Sequence, residues 1–350
     1  MTAWAVILAG GSGTRFWPLS TPKIPKQMLT LAGSDPLLRQ AVDRLSGLIP
    51  PERILILTGS ALEDDTRKML PDIPRENILI EPRAASTAPA LVWATYETSV
   101  RDSEAVILSL HADWFVGDDQ KFRETAELAL DAARERNMLV TVGMVPSRPD
   151  TGYGYIQQGE RLDEKVHLVK QFKEKPDLET ARNLIDEGAL WNSGLFAWPA
   201  KLFLEETERV APEIAPHLDL LRKGSLEQFF SSVTPIAVDH SHFERSESVA
   251  VVPGAFPWDD VGTWNALSRV RPTDENQNVI EGKVHALDAK NCVLWADDGT
   301  LVVDGVSDLV VVRANGATLV TTRDRAQDLK AILNKLPPET VALSDDQKIR

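Results

Sequence analysis

A single cysteine, Cys292, stands in the 350-residue chain, so no internal disulfide can form and no thiolate cluster can hold zinc. Long apolar runs are missing as well, since no stretch approaches the ~20 consecutive apolar residues that a membrane helix needs. Positive charge is scarce. There are 38 Lys and Arg against 52 Asp and Glu, a net charge of −14, and a field of that sign repels nucleic acid as a bulk partner. A phosphate-bearing ligand must therefore be captured by a local cationic cluster. With thiolates excluded, a hard cation held on carboxylates is the metal chemistry left open. Only Met1-Thr2-Ala3 precede the first apolar segment, with no basic n-region, which makes a cytoplasmic location the expectation.

What is present is concentrated near the start. Residues 5–27 read AVILAGGSGTRFWPLSTPKIPKQ. The apolar run Trp4 to Leu8 has the length and composition of a buried strand. It stops at Gly10-Gly11-Ser12-Gly13, where the missing Cβ atoms allow positive φ and close approach of a ligand to the backbone. Free N–H groups followed by Thr14, Arg15, Lys23 and Lys26 would offer dipoles and mobile cations to a polyanion such as a nucleoside triphosphate. Two other glycine-loop patterns fail on spacing. A dinucleotide fingerprint from Gly11 needs a third small residue where Phe16 stands, and a P-loop needs Gly-Lys-Ser/Thr where the chain has Gly13-Thr14-Arg15. The competing reading is a glycine-rich turn that binds nothing.

Downstream, near-continuous apolar strands alternate with amphipathic helices. Strands are expected over 53–58, 78–80 and 105–110, and helices over 35–45, 60–70 (opened by a Ser60/Glu63 capping box) and 89–99. Alternation of this kind predicts an α/β fold with a mostly parallel, Rossmann-like sheet covered by helices on both faces. Ligands of such sheets sit beyond the C-terminal strand ends, where the glycine loop and Asp113 both fall. From Thr141 onward, Pro146, Pro149, Gly152 and Gly154 punctuate a substrate-facing insertion. Past 274–278, short β runs with turns at Asp298-Gly299 and Asn315-Gly316 predict a small C-terminal β-rich module with a closing helix over 324–336, and a short β-helix coil is one form it can take. The expected division is a catalytic domain over 1–272 and the module over 273–350, with a frayed polar end.

The signature GGSGTRFWPLS followed by PKQML resembles the nucleotide-binding loop of the sugar-phosphate nucleotidyltransferases, most closely the guanylyl-transferring branch that acts on mannose 1-phosphate. Thr21 stands where many members carry Arg. The resemblance implies the nucleotide-diphospho-sugar transferase fold and roles along residues 4–270. Leu8, Gly10, Gly11, Gly13 and Thr14 would hold the nucleotide, with Arg15 and Lys26 as the catalytic cations. Glu81, Ser86 and Thr87 would face the base; Ser86 replaces a usual Asn, and capping of the next helix is the plain alternative for Ser86 and Thr87. Asp113, in Leu110-His111-Ala112-Asp113-Trp114, and Asp260, in the segment 258–264, would hold Mg²⁺, with Asp259 the runner-up and Trp114 replacing the family's His. Gly154, Glu174, Lys175 and Asn192 would line the sugar-phosphate pocket, with Asp239 and Glu244 nearby. His240 and His242 share a face if their segment is a strand, but without a third ligand they are expected to be ordinary core or surface histidines.

The implied partners are GTP and mannose 1-phosphate, with no nucleic acid and no membrane, and a homodimer is left open. Another NTP and sugar 1-phosphate pair is the alternative enzyme. A silent nucleotide-sugar sensor is the alternative class, and the retention of Arg15, Lys26, Asp113, Lys175 and Asp260 argues against it.

Overall fold

The computed structural model describes residues 2–11 and 13–342. Ser12 of the glycine loop, the side chains of Thr14 and Ala342, and the polar tail 343–350 lie outside the described residues. The strands number through the chain as β1 (Ala3–Leu8), β2 (Ile54–Gly59), β3 (Ile78–Glu81), β4 (Val106–His111), the two-residue β5 (Phe115–Val116) and β6 (Leu139–Met144). They continue as β7 (Tyr155–Arg161), β8 (His167–Lys173), β9 (Leu190–Pro199), β10 (Val249–Pro253) and the two-residue β11 (Trp258–Asp259). The last four are β12 (Val279–Leu287), β13 (Val293–Asp304), β14 (Leu309–Ala314) and β15 (Ala317–Thr322).

The chain divides into two units. The first takes the residues to Gly10, Ala41–Ala112 and Asp118–Trp258. Its sheet runs β3-β2-β1-β4-β9-β6-β10-β8-β7. Pairs β3/β2, β2/β1, β1/β4 and β6/β10 are parallel. Strand β9 runs against β4 and β6, and β8 runs against β10 and β7. The sheet is therefore mixed, with most strands sharing one direction. Parallel neighbours need crossover connections. The helix Glu63–Met69, between β2 and β3, supplies one of them.

Both faces of β1 are covered, as its unbroken apolar run requires. Trp4 and Val6 enter a core with Leu91, Trp93 and Trp198, while Ala5 and Ile7 are buried just as completely and alternate to the other face. After β2, the expected capping box takes a different form. Ser60 lies inside a 3₁₀ turn, Ser60–Leu62, so its hydroxyl does not precede the helix, and Glu63 opens Glu63–Met69 while bonded to Arg67 at 2.8 Å. The histidine segment holds one surface and one core histidine, as expected, but it is not a strand. Residues Asp239–Phe243 form a π-helical turn and not a strand, which sends the two histidines apart. His240 meets Glu244 at 2.9 Å at the surface, whereas His242 is buried between the Thr207 and Ser241 hydroxyls and stacked on Phe203. Burial pushes the His242 imidazole down to about 3, so it is a neutral core group.

The second unit takes Gly11–Gln40, Asp113–Gly117 and the chain from Asp259 onward. In it, β12, β13 and β14 stack in parallel, Val279 opposite Val293 and Val293 opposite Val310. The chain therefore returns to the same place after 14 and 17 residues (293 − 279 and 310 − 293), a coil of β-helix type, before β15 closes it antiparallel. The closing helix begins as a 3₁₀ segment, Asp324–Asp328, and becomes α-helical over Leu329–Leu333.

One core joins these pieces of the second unit. Phe16, Trp17, Val261, Trp264, Trp295, Leu329 and Leu333 belong to a single apolar cluster. Trp264 is fully buried at its centre, edge-on to Phe16 at 5.1 Å and to Trp295 at 5.6 Å, and its indole N–H donates to the Trp17 carbonyl at 3.1 Å. Trp264→Ala is expected to cost about 3–5 kcal/mol, read as a lower urea midpoint, and Trp264→Phe only the part due to size and the lost hydrogen bond. Equal midpoints for Trp264→Ala and the parent would show that this ring does not organise the unit.

Candidate functional site

Lys26 is 8% exposed, and an ammonium so far from water requires anionic or carbonyl partners. It has both. Its Nζ donates to Asp113 Oδ2 at 2.8 Å and to the backbone carbonyl of Asp260. The lysine sits in a short 3₁₀ turn, Lys26–Met28, after Pro25. A Cβ on Gly13 would fall on the Lys26 backbone nitrogen, and Gly13 adopts φ +54°, so the loop closes over the turn only with glycine there. Gly13, Arg15, Lys26, Asp113 and Asp260 line one cleft of about 400 Å³, within the size range of small-molecule sites. Trp114 and Gly262 complete its wall, and Lys330 stands on it too.

The neighbours Asp259 and Asp260 are separated by the backbone. Asp259 is buried, bonded to the Arg269 guanidinium at 2.6 and 3.0 Å, and it accepts the Val261 amide at 2.8 Å. That carboxylate is committed to the turn. Val261, although β-branched, adopts φ +46°, and Asp260 lines the cleft with Gly262 leaving room beside its carboxylate.

A second group gathers in the first unit. Asn192 anchors it: its amide N–H donates to the Gly154 carbonyl at 2.8 Å, and its side-chain Nδ2 donates to Asp239 Oδ1 at 2.6 Å. A Cβ at Gly154 would strike Glu174 Oε2, so the glycine makes space for that carboxylate. Lys175, exposed and at φ +42°, meets Glu174 Oε1 at 2.5 Å. Burial first, and the Glu174 charge second, raise the Asp239 carboxyl above its usual range. Two carboxylates, an amide and one solvent-facing cation thus stand together, while Glu244 is engaged with His240.

A model of the nucleotidyl transferase family matches residues 4–277. The chain belongs to that family. A model of the MannoseP isomerase/GMP-like beta-helix domain matches residues 282–336, the coil described above. A mannose-1-phosphate guanylyltransferase of Salmonella montevideo is 34% identical over 95% of this chain and 74% of its own length, and one of Escherichia coli K12 is 34% identical over 95% and 73%. A solved structure from Thermus thermophilus, described as a mannose-1-phosphate geranyltransferase, superposes with a TM-score of 0.89 at 36% identity, covering 96% of this chain and 99% of that one.

In this family member the expected nucleotide-contacting residues divide between the units. Leu8, Gly10, Glu81, Ser86 and Thr87 are in the first, and Gly11, Gly13, Thr14, Arg15 and Lys26 in the second. Leu8 ends β1, and a side chain on Gly10 would lie 3.7 Å from Glu81 Oε1. Neither Ser86 nor Thr87 caps the helix by its side chain. The Thr87 hydroxyl instead accepts the Val238 amide at 2.9 Å, tying the helix to the turn that bears Asp239. Ser86 sits at φ +67°, ψ −174°, a region almost reserved for glycine. Among the described residues, the non-glycine positions with positive φ are Asn, Asp or Gln except for Ser86, Lys175 and Val261, and each of those three lies in a segment singled out from sequence. The residue that sequence reasoning passed over is Lys330. It is one exposed lysine on a helix of ordinary composition, and nothing local distinguishes it.

Glu81, half-buried at the end of β3, has its carboxyl pushed up to about 7 by burial. A folded-state value above the unfolded one means that Glu81 supports stability below its unfolded value and that this support is lost as pH rises through about 7. Relative to Glu81→Gln, the parent should therefore lose thermal stability between about pH 5 and pH 8. A difference in Tm that stays flat across that window, measured by calorimetry without ligand, would contradict the assignment.

Proposed function

We propose that the chain transfers GMP from GTP to mannose 1-phosphate, giving GDP-mannose and pyrophosphate. The observation that carries this reading is the mixed cleft of Arg15, Lys26, Asp113 and Asp260 in a chain that shares most of its length with proteins named for that activity. A phosphate oxygen of mannose 1-phosphate forms a bond to the α-phosphorus of GTP, and the bond from that phosphorus to the β-bridging oxygen breaks, leaving its electron pair on pyrophosphate. No general base is needed. The second pKa of a phosphomonoester is near ~6, so the nucleophile is already largely dianionic at neutral pH. What remains for the protein is positioning and charge neutralisation.

The donor set in the cleft suits a hard cation. Two carboxylates, Asp113 and Asp260, supply oxygen ligands, as Mg²⁺ requires when phosphate oxygens and water complete its shell. When bound there, Mg²⁺ would neutralise phosphate charge. Arg15 and Lys26 bind the triphosphate and stabilise the departing pyrophosphate, and Lys26 also holds Asp113 in place. Glu81 and Ser86 serve the base. Glu174, Asn192 and Asp239 accept or donate to sugar hydroxyls, while Lys175 meets the sugar phosphate. Residues 1–272 form the catalytic domain on this reading and 273–350 an accessory module, and the cytoplasm is its place of work.

Pyrophosphate release across a matrix of NTPs and sugar 1-phosphates tests the proposal. GTP with mannose 1-phosphate should give the highest kcat/KM, and preference for another pair would replace the assignment. For the two pockets, Lys175→Ala should weaken mannose 1-phosphate by roughly 10-fold or more, the scale of a lost charge-assisted hydrogen bond, while GTP binding stays near normal. Calorimetry with each ligand separately decides it. Loss of GTP binding with sugar-phosphate binding intact would exchange the pockets.

A further inference from the structure

Lys330 extends into the triphosphate cleft from the closing helix of the C-terminal module. The helix Leu329–Leu333 packs Leu329 and Leu333 into the same apolar cluster as Phe16, the neighbour of Arg15. Its position is therefore set by the core and not by surface chance. Lys330 itself is exposed and stands on the cleft wall with Arg15, Lys26, Asp113 and Asp260.

Charge in the cleft makes this placement matter. Without Lys330, two cations face two carboxylates and the lining is neutral, with Lys26 already bonded to Asp113. With it the lining carries a net positive charge, in a protein whose total is −14. A polyphosphate approaching an acidic protein needs a local excess of positive charge, and Lys330 supplies it. An exposed ammonium on a four-carbon stem can follow a phosphate that moves away during reaction, while Lys26 acts from a position fixed by its bonds to Asp113 and Asp260.

We propose that Lys330 is a ligand of the polyphosphate, holding the part that leaves as pyrophosphate, so that the β-helix module contributes directly to the nucleotide cleft. This rests on reading that cleft as the triphosphate site, and the test separates the two. Inorganic tripolyphosphate with Mg²⁺ is titrated calorimetrically into the full chain, and the KM for pyrophosphate is measured in the reverse reaction with GDP-mannose.

Lys330→Ala should weaken tripolyphosphate and raise the pyrophosphate KM by about 10-fold or more, the scale of a lost hydrogen bond to a charged group. The KM for GDP-mannose and the Tm should not change. Lys330→Arg should recover most of the loss. Lys335→Ala, which removes an exposed charge from the same part of the module but not from the cleft, should behave as the parent. Parental tripolyphosphate affinity in Lys330→Ala, or an equal loss in Lys335→Ala, overturns the inference even if GTP and mannose 1-phosphate turn over normally. If that substrate pair does not react but tripolyphosphate binding still depends on Lys330, the activity is misassigned and the role of Lys330 stands.

Discussion

A buried ammonium holds the cleft together. Lys26 is 8% exposed and touches the carboxylate of Asp113 and the backbone of Asp260, so one side chain joins three stretches that are far apart in sequence. An unpaired buried cation would be costly, whereas a paired one defines a single arrangement of its partners. The glycine at position 13 exists for the same reason, because any side chain there would displace the Lys26 backbone. Aromatic packing supplies the rigidity around this point. Phe16, Trp264 and Trp295 form one edge-to-face run, and the Trp264 N–H on the Trp17 carbonyl fixes the loop that follows Arg15.

Backbone strain coincides with the segments given to chemistry. Residues such as Asn and Asp tolerate positive φ at turns, and most of the positive-φ positions here are of that kind. Ser86, Lys175 and Val261 are not, and each costs on the order of 1–3 kcal/mol to hold. At Val261 the outcome is visible: Asp259 is turned into a buried pair with Arg269, and Asp260 faces the cleft. The strain is countered by the Asp259 bonds to the Val261 amide and to Arg269.

The acidic surface and the cationic cleft are complementary features of one molecule. Bulk repulsion discourages polyanions in general, while a few cations on defined turns and one short helix would, on the proposed reading, admit a compact polyphosphate. The group around Asn192, proposed above to take the sugar, follows a different logic. It uses carboxylates and an amide, Glu174, Asp239 and Asn192, and burial together with the Glu174 charge holds the Asp239 proton more tightly than usual.

Much was legible in the sequence because it depends on local rules. The run from Trp4 to Leu8 is apolar throughout, and a strand buried on both faces has no other pattern; the glycines after it and the Pro-Lys-Gln piece mark the loop by residue type alone. The β-rich character of the C-terminal module showed itself through short β runs and the Asn315-Gly316 turn, whereas Asp298-Gly299, expected as a turn, lies inside β13. Other features depend on contacts that no local window contains. The π-helical turn at 239–243, with His242 stacked on Phe203, is one of them. Asp259 and Asp260 are the same residue type side by side, and only the Val261 kink and Arg269 tell them apart. Lys330 lies 304 positions after Lys26 (330 − 26), on a helix like many others, and only the folding of that helix onto Phe16 brings its charge to the cleft.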